Sequence, residues 1–414
     1  MIDRASRFSG LWQKYLLSVS RIALIRGDFF SRSRASFFSL AILVVLFFSC
    51  RTPFDPEIPQ TASQILVVEG YLDMQGTLSE LKISRMSGLD SSQSPSPETA
   101  ALIYLESSVG TKYYLEEDSE GRYLFQYNLG FDDTYRLFIE LQDGERYQSA
   151  PLTPIQTPEI IDVGFLRDEE GVEIFLTTQG NENADDFLWG FVETWAYRPR
   201  IGTSYIYDAS IGNVRDRFSD EQISICYKSA SSPDILLETS SRFQDQVVFR
   251  QTITEIPEND ERIMDRYSIL ISQMAIDEEA SKFWEILKKN SNDIGSIFSP
   301  LPSLIRGNIS HIDDPAIPVV GQVSLGVIRQ KRLFVDLQDV TPWNFVDPQF
   351  NDCIVSAEAV YQVDYQRIFG SGDIVPVVPI MERTTIVAFY PTYRRCADCS
   401  LYASPILPDF WEED

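Results

Sequence analysis

The chain has 414 residues and a formal net charge of −26, which excludes a nucleic-acid role, because phosphate binding needs a basic face. Its 44% hydrophobic and 23% charged residues describe a globular rather than a disordered chain, and 19 Tyr and 26 Phe favour strands. The length has room for about two or three domains of ~100–200 residues each.

In chain order, Arg21, Arg26, Arg32 and Arg34 form a basic flank ahead of the apolar run Ser36–Ser49. That run is shorter than the ~20 residues a helix needs to span a bilayer and matches the apolar region of a signal peptide. Leu46-Phe47-Phe48-Ser49-Cys50 looks like a lipobox, with a small residue ahead of the cysteine that takes the lipid. The expectation is a signal peptide over 1–49, lipidation at Cys50 and a proline-rich tether over 50–63. The alternative is an uncleaved anchor; in both cases the rest of the chain lies outside the cytoplasm.

The period-two runs Ile65–Tyr71, Glu80–Arg85, Ala101–Glu106, Lys112–Leu115, Arg122–Tyr127, Tyr135–Leu141 and Glu145–Ser149 predict seven short strands. The pattern is mainly β, with an independent N-terminal immunoglobulin-like β-sandwich over 64–158. Pro151, Pro154 and Pro158 then punctuate a linker to a larger β-rich domain, 159–414, with one or two helices. One helix is marked by Asp277 as cap, Glu278 and Glu279 in the first turn and Lys288 and Lys289 in the last. Its apolar stripe Ala280, Phe283, Trp284 and Leu287 is read as a face packed on a sheet.

With Cys50 lipidated, Cys226, Cys353, Cys396 and Cys399 remain, an even number that in an exported chain predicts two disulfides. The connectivity stays open, with a leaning towards bridges from the Cys396-Ala397-Asp398-Cys399 segment to Cys353 or Cys226; zinc on these thiols is the lesser alternative. His311 is the single histidine, and there is no nucleophile elbow or phosphate-cradling loop. The acidic clusters Asp132-Asp133, Asp185-Asp186, Asp277-Glu278-Glu279 and Asp313-Asp314 are explained by solvated turns and helix starts. No catalytic residue, metal site or cofactor is therefore expected. The aromatic candidates for a ligand or partner are Trp189 and Trp195, read as lying across both faces of the Phe187–Trp195 strand and weighed against a core role, which is the favoured reading for a Trp, and Phe410 and Trp411 near the end.

These elements together resemble the Bacteroidetes lipoprotein family known as domain of unknown function 4249. The resemblance runs through Cys50 with Pro53-Phe54, Leu66-Val67-Val68-Glu69-Gly70, Trp189 with Glu193-Thr194-Trp195, and Phe283-Trp284 with Asn290. It continues through Gly295-Ser296-Ile297-Phe298, Ile305-Arg306-Gly307-Asn308-Ile309, and the end Cys396-Ala397-Asp398-Cys399 with Pro408-Asp409-Phe410-Trp411. It implies an envelope lipoprotein of the outer membrane, often encoded beside a TonB-dependent transporter, and supplies no catalytic residues. The expected function is a non-catalytic accessory or ligand-capturing partner of such a transporter. A surface hydrolase using acidic residues and a structural or adhesion lipoprotein are the alternatives.

Overall fold

The computed structural model describes residues 65–86, 95–292, 307–343 and 348–411, all within one compact unit. Cys50 and its flanking segments lie outside the described residues. Strands are numbered along the chain, and the architecture is mainly β.

Two sheets form a first sandwich. One contains β1 (Leu66–Asp73), β2 (Ser79–Arg85), β3 (Ser96–Pro97), β6 (Glu116–Ser119), β7 (Arg122–Phe125) and β20 (Val319–Gly326). The other contains β4 (Leu102–Ser107), β5 (Lys112–Tyr114), β8 (Tyr135–Glu140), β9 (Arg146–Ser149) and β19 (Ile309–His311). Alternation along each strand turns Leu66, Val68, Leu81, Ile83, Ile103, Leu105, Leu137 and Ile139 into a shared core. β20 runs parallel to β1, and β19 pairs with β9. Residues 64–158 therefore do not complete this sandwich, contrary to the independent unit expected from sequence. One outer strand of each sheet comes from the segment 309–326, because parallel and long-range partners leave no local turn signal.

A second sandwich stacks β10 (Ile160–Arg167), β11 (Gly171–Gln179) and β17 (Val247–Pro257) against a larger sheet. That sheet is ordered β15 (Cys226–Ser231), β12 (Asp186–Tyr197), β18 (Arg266–Ile276), β21 (Ile328–Asp336), with β16 (Leu236–Thr239) also on β12. Val172, Ile174 and Leu176 from one sheet meet Phe187, Trp189, Ile269 and Ile271 from the other.

The two sandwiches are joined by buried polar groups. The Tyr71 hydroxyl donates to the Ala275 carbonyl (3.0 Å), and the Ala275 N–H donates to the Thr157 hydroxyl (2.9 Å). Asp73 is fully buried, and its carboxylate accepts from the N–H groups of Gln75 (2.9 Å), Thr77 (2.9 Å) and Ile328 (2.8 Å). A carboxylate at this depth is tolerated because every lone-pair direction used meets a donor.

The hairpin β13 (Tyr205–Asp208) and β14 (Asn213–Asp216) packs with β22 (Val360–Tyr361), β23 (Ile374–Glu382) and β24 (Thr385–Tyr393). One disulfide, Cys226–Cys399, ties this C-terminal part to the second sandwich, and the other, Cys353–Cys396, closes a loop within it. The two cysteines of the CxxC segment thus each bind a distant partner, and all four sulfurs are buried.

Candidate functional site

The strand β12 places its aromatic candidates on one face. Phe187, Trp189, Phe191, Glu193 and Trp195 all point inward, since a strand repeats every two residues. Trp189 and Trp195 are 2% and 7% exposed and belong to the core, not to a binding face. The expected split of these aromatics across both faces is corrected by the same rule: positions 187, 189, 191 and 195 differ by even numbers. Trp189 Nε1 donates to Gln273 Oε1 (2.9 Å), whereas Trp195 Nε1 has no partner among the described residues. Trp189→Phe is therefore expected to lower stability by about 1–3 kcal/mol by stranding the Gln273 carbonyl, and Trp195→Phe by distinctly less. Urea unfolding of the two variants side by side checks this ordering.

Glu193 is the one charged member of the inward row. Its Oε1 accepts from the Tyr267 hydroxyl (2.7 Å) and from Arg262 Nη1 (3.0 Å), and Arg262 also pairs with Asp260 (3.0 Å). Burial, then the neighbouring Glu193 carboxylate, push the Tyr267 phenol well above its ordinary range. Tyr267 has no exposed surface and Glu193 only 5%, so the cluster closes one end of the core and does not face substrate.

The remaining sequence candidates resolve into local roles. The buried His311 accepts at Nδ1 from the Asp314 N–H (3.0 Å) and stands edge-on to Tyr147. Asp133 accepts from the Ser108 and Thr134 N–H groups, Asp277 caps its helix through the Ala280 N–H (2.7 Å), and Asp313 pairs with Arg146 (2.9 Å). Among the described residues no cluster of three His, Cys, Asp or Glu could hold a metal.

The outward face of the same large sheet is different. Register places Gly190 beside Ser272 and Gln330, Val192 beside Leu270 and Arg332, and Thr194 beside Ser268 and Phe334. At one end, Leu188, Met274 and Ile328 are covered by Ala280 and Trp284 of the helix Glu278–Asn292. The expected role of that helical stripe as a packing face is what the structure displays. At the other end the chain terminus crosses the sheet: Trp411 meets Tyr227 of β15 (5.0 Å) and Phe334 of β21 (5.9 Å) edge-on. Phe410 lies under the Arg332 guanidinium at 3.5 Å, and Arg332 Nη1 donates to Ser268 Oγ (2.9 Å). Among the described residues no carboxylate pairs with Arg332, and burial pushes its guanidinium down from the ordinary range.

Among the described residues, the sheet is open between these two covers. Val192 is 43% exposed, and a Cβ on Gly190 would meet nothing within 4 Å. The result is a trough with a floor of Gly190, Val192, Leu270 and Ser272 and a rim of Arg332 and Phe410. It combines apolar floor, hydroxyl and amide groups, and one cation stacked on an aromatic ring, the mixture found at the centre of protein interfaces.

A family model described as Domain of unknown function (DUF4249) matches residues 51–332. The chain belongs to this family. The DUF4249 match spans the first sandwich and β12 and β18, and it reaches Arg332 at the trough's rim, whereas Phe334, Phe410 and Trp411 lie beyond it. No curated protein matches the chain. Among solved structures it is similar to a two fibronectin type-III domain segment from chicken tenascin, at 13% identity and a TM-score of 0.14, over 50% of this chain and 90% of that chain. Of the trough residues in this DUF4249 protein, sequence reasoning named only Phe410 and Trp411. Gly190 carried a signal that was there to be read: a glycine inside a strand marks close approach or an opening. Arg332 and Phe334 carried none, because nothing in a strand's own sequence says which neighbour will stack on it.

Proposed function

We propose that this protein is a membrane-tethered, non-catalytic partner of a TonB-dependent outer-membrane transporter, docking through the open trough of its second sandwich. The observation that supports the reading most is the trough itself: a sheet face covered at both ends, open in the middle and rimmed by the Arg332–Phe410 stack. Disulfides at four buried cysteines suit an oxidising compartment, and an apolar run ending at Cys50 suits a lipid anchor there. Restriction to one membrane raises the effective concentration near a partner in that membrane, so an anchored binder tolerates a modest interface.

The test is native extraction of the tagged full-length chain from its own membranes. Recovery of a TonB-dependent transporter with the wild-type chain is expected. Gly190→Arg should lose it at unchanged melting temperature, since the new side chain enters open space across the trough. Cys50→Ser should lose both the membrane and the partner. Extraction without any transporter would refute the reading.

A further inference from the structure

The first sandwich carries a second, separate surface. On the outward face of its β4–β5–β8–β9–β19 sheet, register aligns Tyr114, Tyr104, Phe138, Gln148 and Ser310 in one row across five strands. Tyr104 and Phe138 are stacked at 5.2 Å with planes 19° apart, Tyr114 lies 5.6 Å from Tyr104, and Lys112 Nζ sits 4.1 Å over the Tyr104 ring. One face of Phe138 is thereby taken by Tyr104. Phe138 also walls a depression of about 220 Å³, which Glu106, Ser108, Thr134, Arg136 and Pro151 help to line.

We propose that this depression binds one ring of a neutral glycan. Three properties of the lining select that chemistry. First, Arg136 makes a single hydrogen bond among the described residues, Nη1 to the Ser149 carbonyl (3.2 Å), and no carboxylate pairs with it, so the rest of its donor fork is available. Among the described residues Glu106 meets only Lys112, at 3.5 Å, and keeps acceptor capacity. A guanidinium that donates beside a carboxylate that accepts matches adjacent ring hydroxyls, each of which is donor and acceptor at once. Second, Phe138 and Pro151 supply an apolar wall of the kind on which the C–H face of a sugar ring packs. Third, the volume is below the ~300–1,000 Å³ of drug-sized pockets and suits a single ring with the remainder of the chain in solvent.

Charge argues for a neutral glycan, since Glu106 lines the depression and Asp133 accepts from the N–H of its lining Ser108, in a chain of net charge −26. A peptide adding itself as a strand is disfavoured. Both edges of this sheet are three-residue strands, β5 and β19, and β5 carries Lys112.

The experiment is calorimetric titration of the mature full chain with cellotetraose, maltotetraose, mannotetraose and N-acetylchitotetraose. At least one is expected to bind in the millimolar range or tighter, about the strength of one stacked ring with a few hydrogen bonds. Phe138→Ala should weaken it about tenfold or more. Ser108→Arg, on an exposed turn where folding is not at stake, should do the same by filling the depression. Val192→Arg, in the trough of the other sandwich, should leave binding unchanged. Absence of heat with all four sugars at about 10 mM, or binding indifferent to Ser108→Arg, would overturn the proposal. Neither result bears on transporter docking, which involves the other sandwich.

Discussion

Removing the Cys226–Cys399 bridge by a double serine substitution is expected to lower the free energy of unfolding by about 3–5 kcal/mol. The bridge closes a sequence separation of 173 residues, against 43 for Cys353–Cys396. On the chain-entropy account the longer loop restricts the unfolded chain more, with limits of about 5 and about 4 kcal/mol for the two. The local consequence should be larger than the global one. Cys399 anchors the turn that precedes Leu401–Trp411, and the other backbone tie of this stretch to β15 is the Tyr227–Ser404 pair. Without the bridge, Phe410 and Trp411 should leave the sheet, Arg332 should lose its stacked ring, and protease should cut the terminal segment first. Denaturant unfolding together with limited proteolysis of oxidised and substituted protein measures both effects. An unchanged midpoint and an uncut terminus would contradict them.

Asp73→Ala is the other large effect, about 3–5 kcal/mol, because it removes the acceptor of three backbone N–H groups at once inside the molecule. Asp73→Asn keeps one acceptor oxygen but turns a donor towards the remaining N–H groups, so about half the loss should persist. The distinguishing readout is hydrogen exchange at the Ile328 amide. Its bond to Asp73 Oδ2 ties the end of β1 to the start of β21, so protection there should fall further than in the core of either sandwich. Equal exchange in wild type and Asp73→Ala would mean that the carboxylate is not what holds this junction.

The sequence made the faces of strands legible more readily than their partners. The alternation in Phe187–Trp195 predicted a strand, and the cap Asp277 with the stripe Ala280, Phe283 and Trp284 predicted a helix seated on a sheet. Both are local signals of period and propensity. The pairing of Leu66 with Val319 is not local: a strand's pattern tells which side is buried, not which distant strand supplies the hydrogen bonds. For this reason 64–158 read as a complete sandwich while its two closing strands lay after residue 308. The two tryptophans show the converse. Their burial agreed with the preference of Trp for the core, but the reading that spread the row across both faces missed the simple parity of the strand. The trough itself was hidden because an opening consists of what fails to cover a sheet, and only the assembled helix and terminus define it.

The parallel pairing of β1 with β20 also imposes a delay on the growing chain. Synthesis proceeds at about 5–20 residues per second, so β1 emerges roughly 10–50 s before the strand roughly 250 residues later that will flank it. Through that interval β2 can pair with one side of β1 while the other side presents bare N–H and C=O groups, a template for any extended chain nearby. A nascent chain interrupted before Ile309 would therefore not be a shorter protein with one finished sandwich. It would hold two sheets, each still lacking an outer strand, and its first half would await the second as a client for holding chaperones.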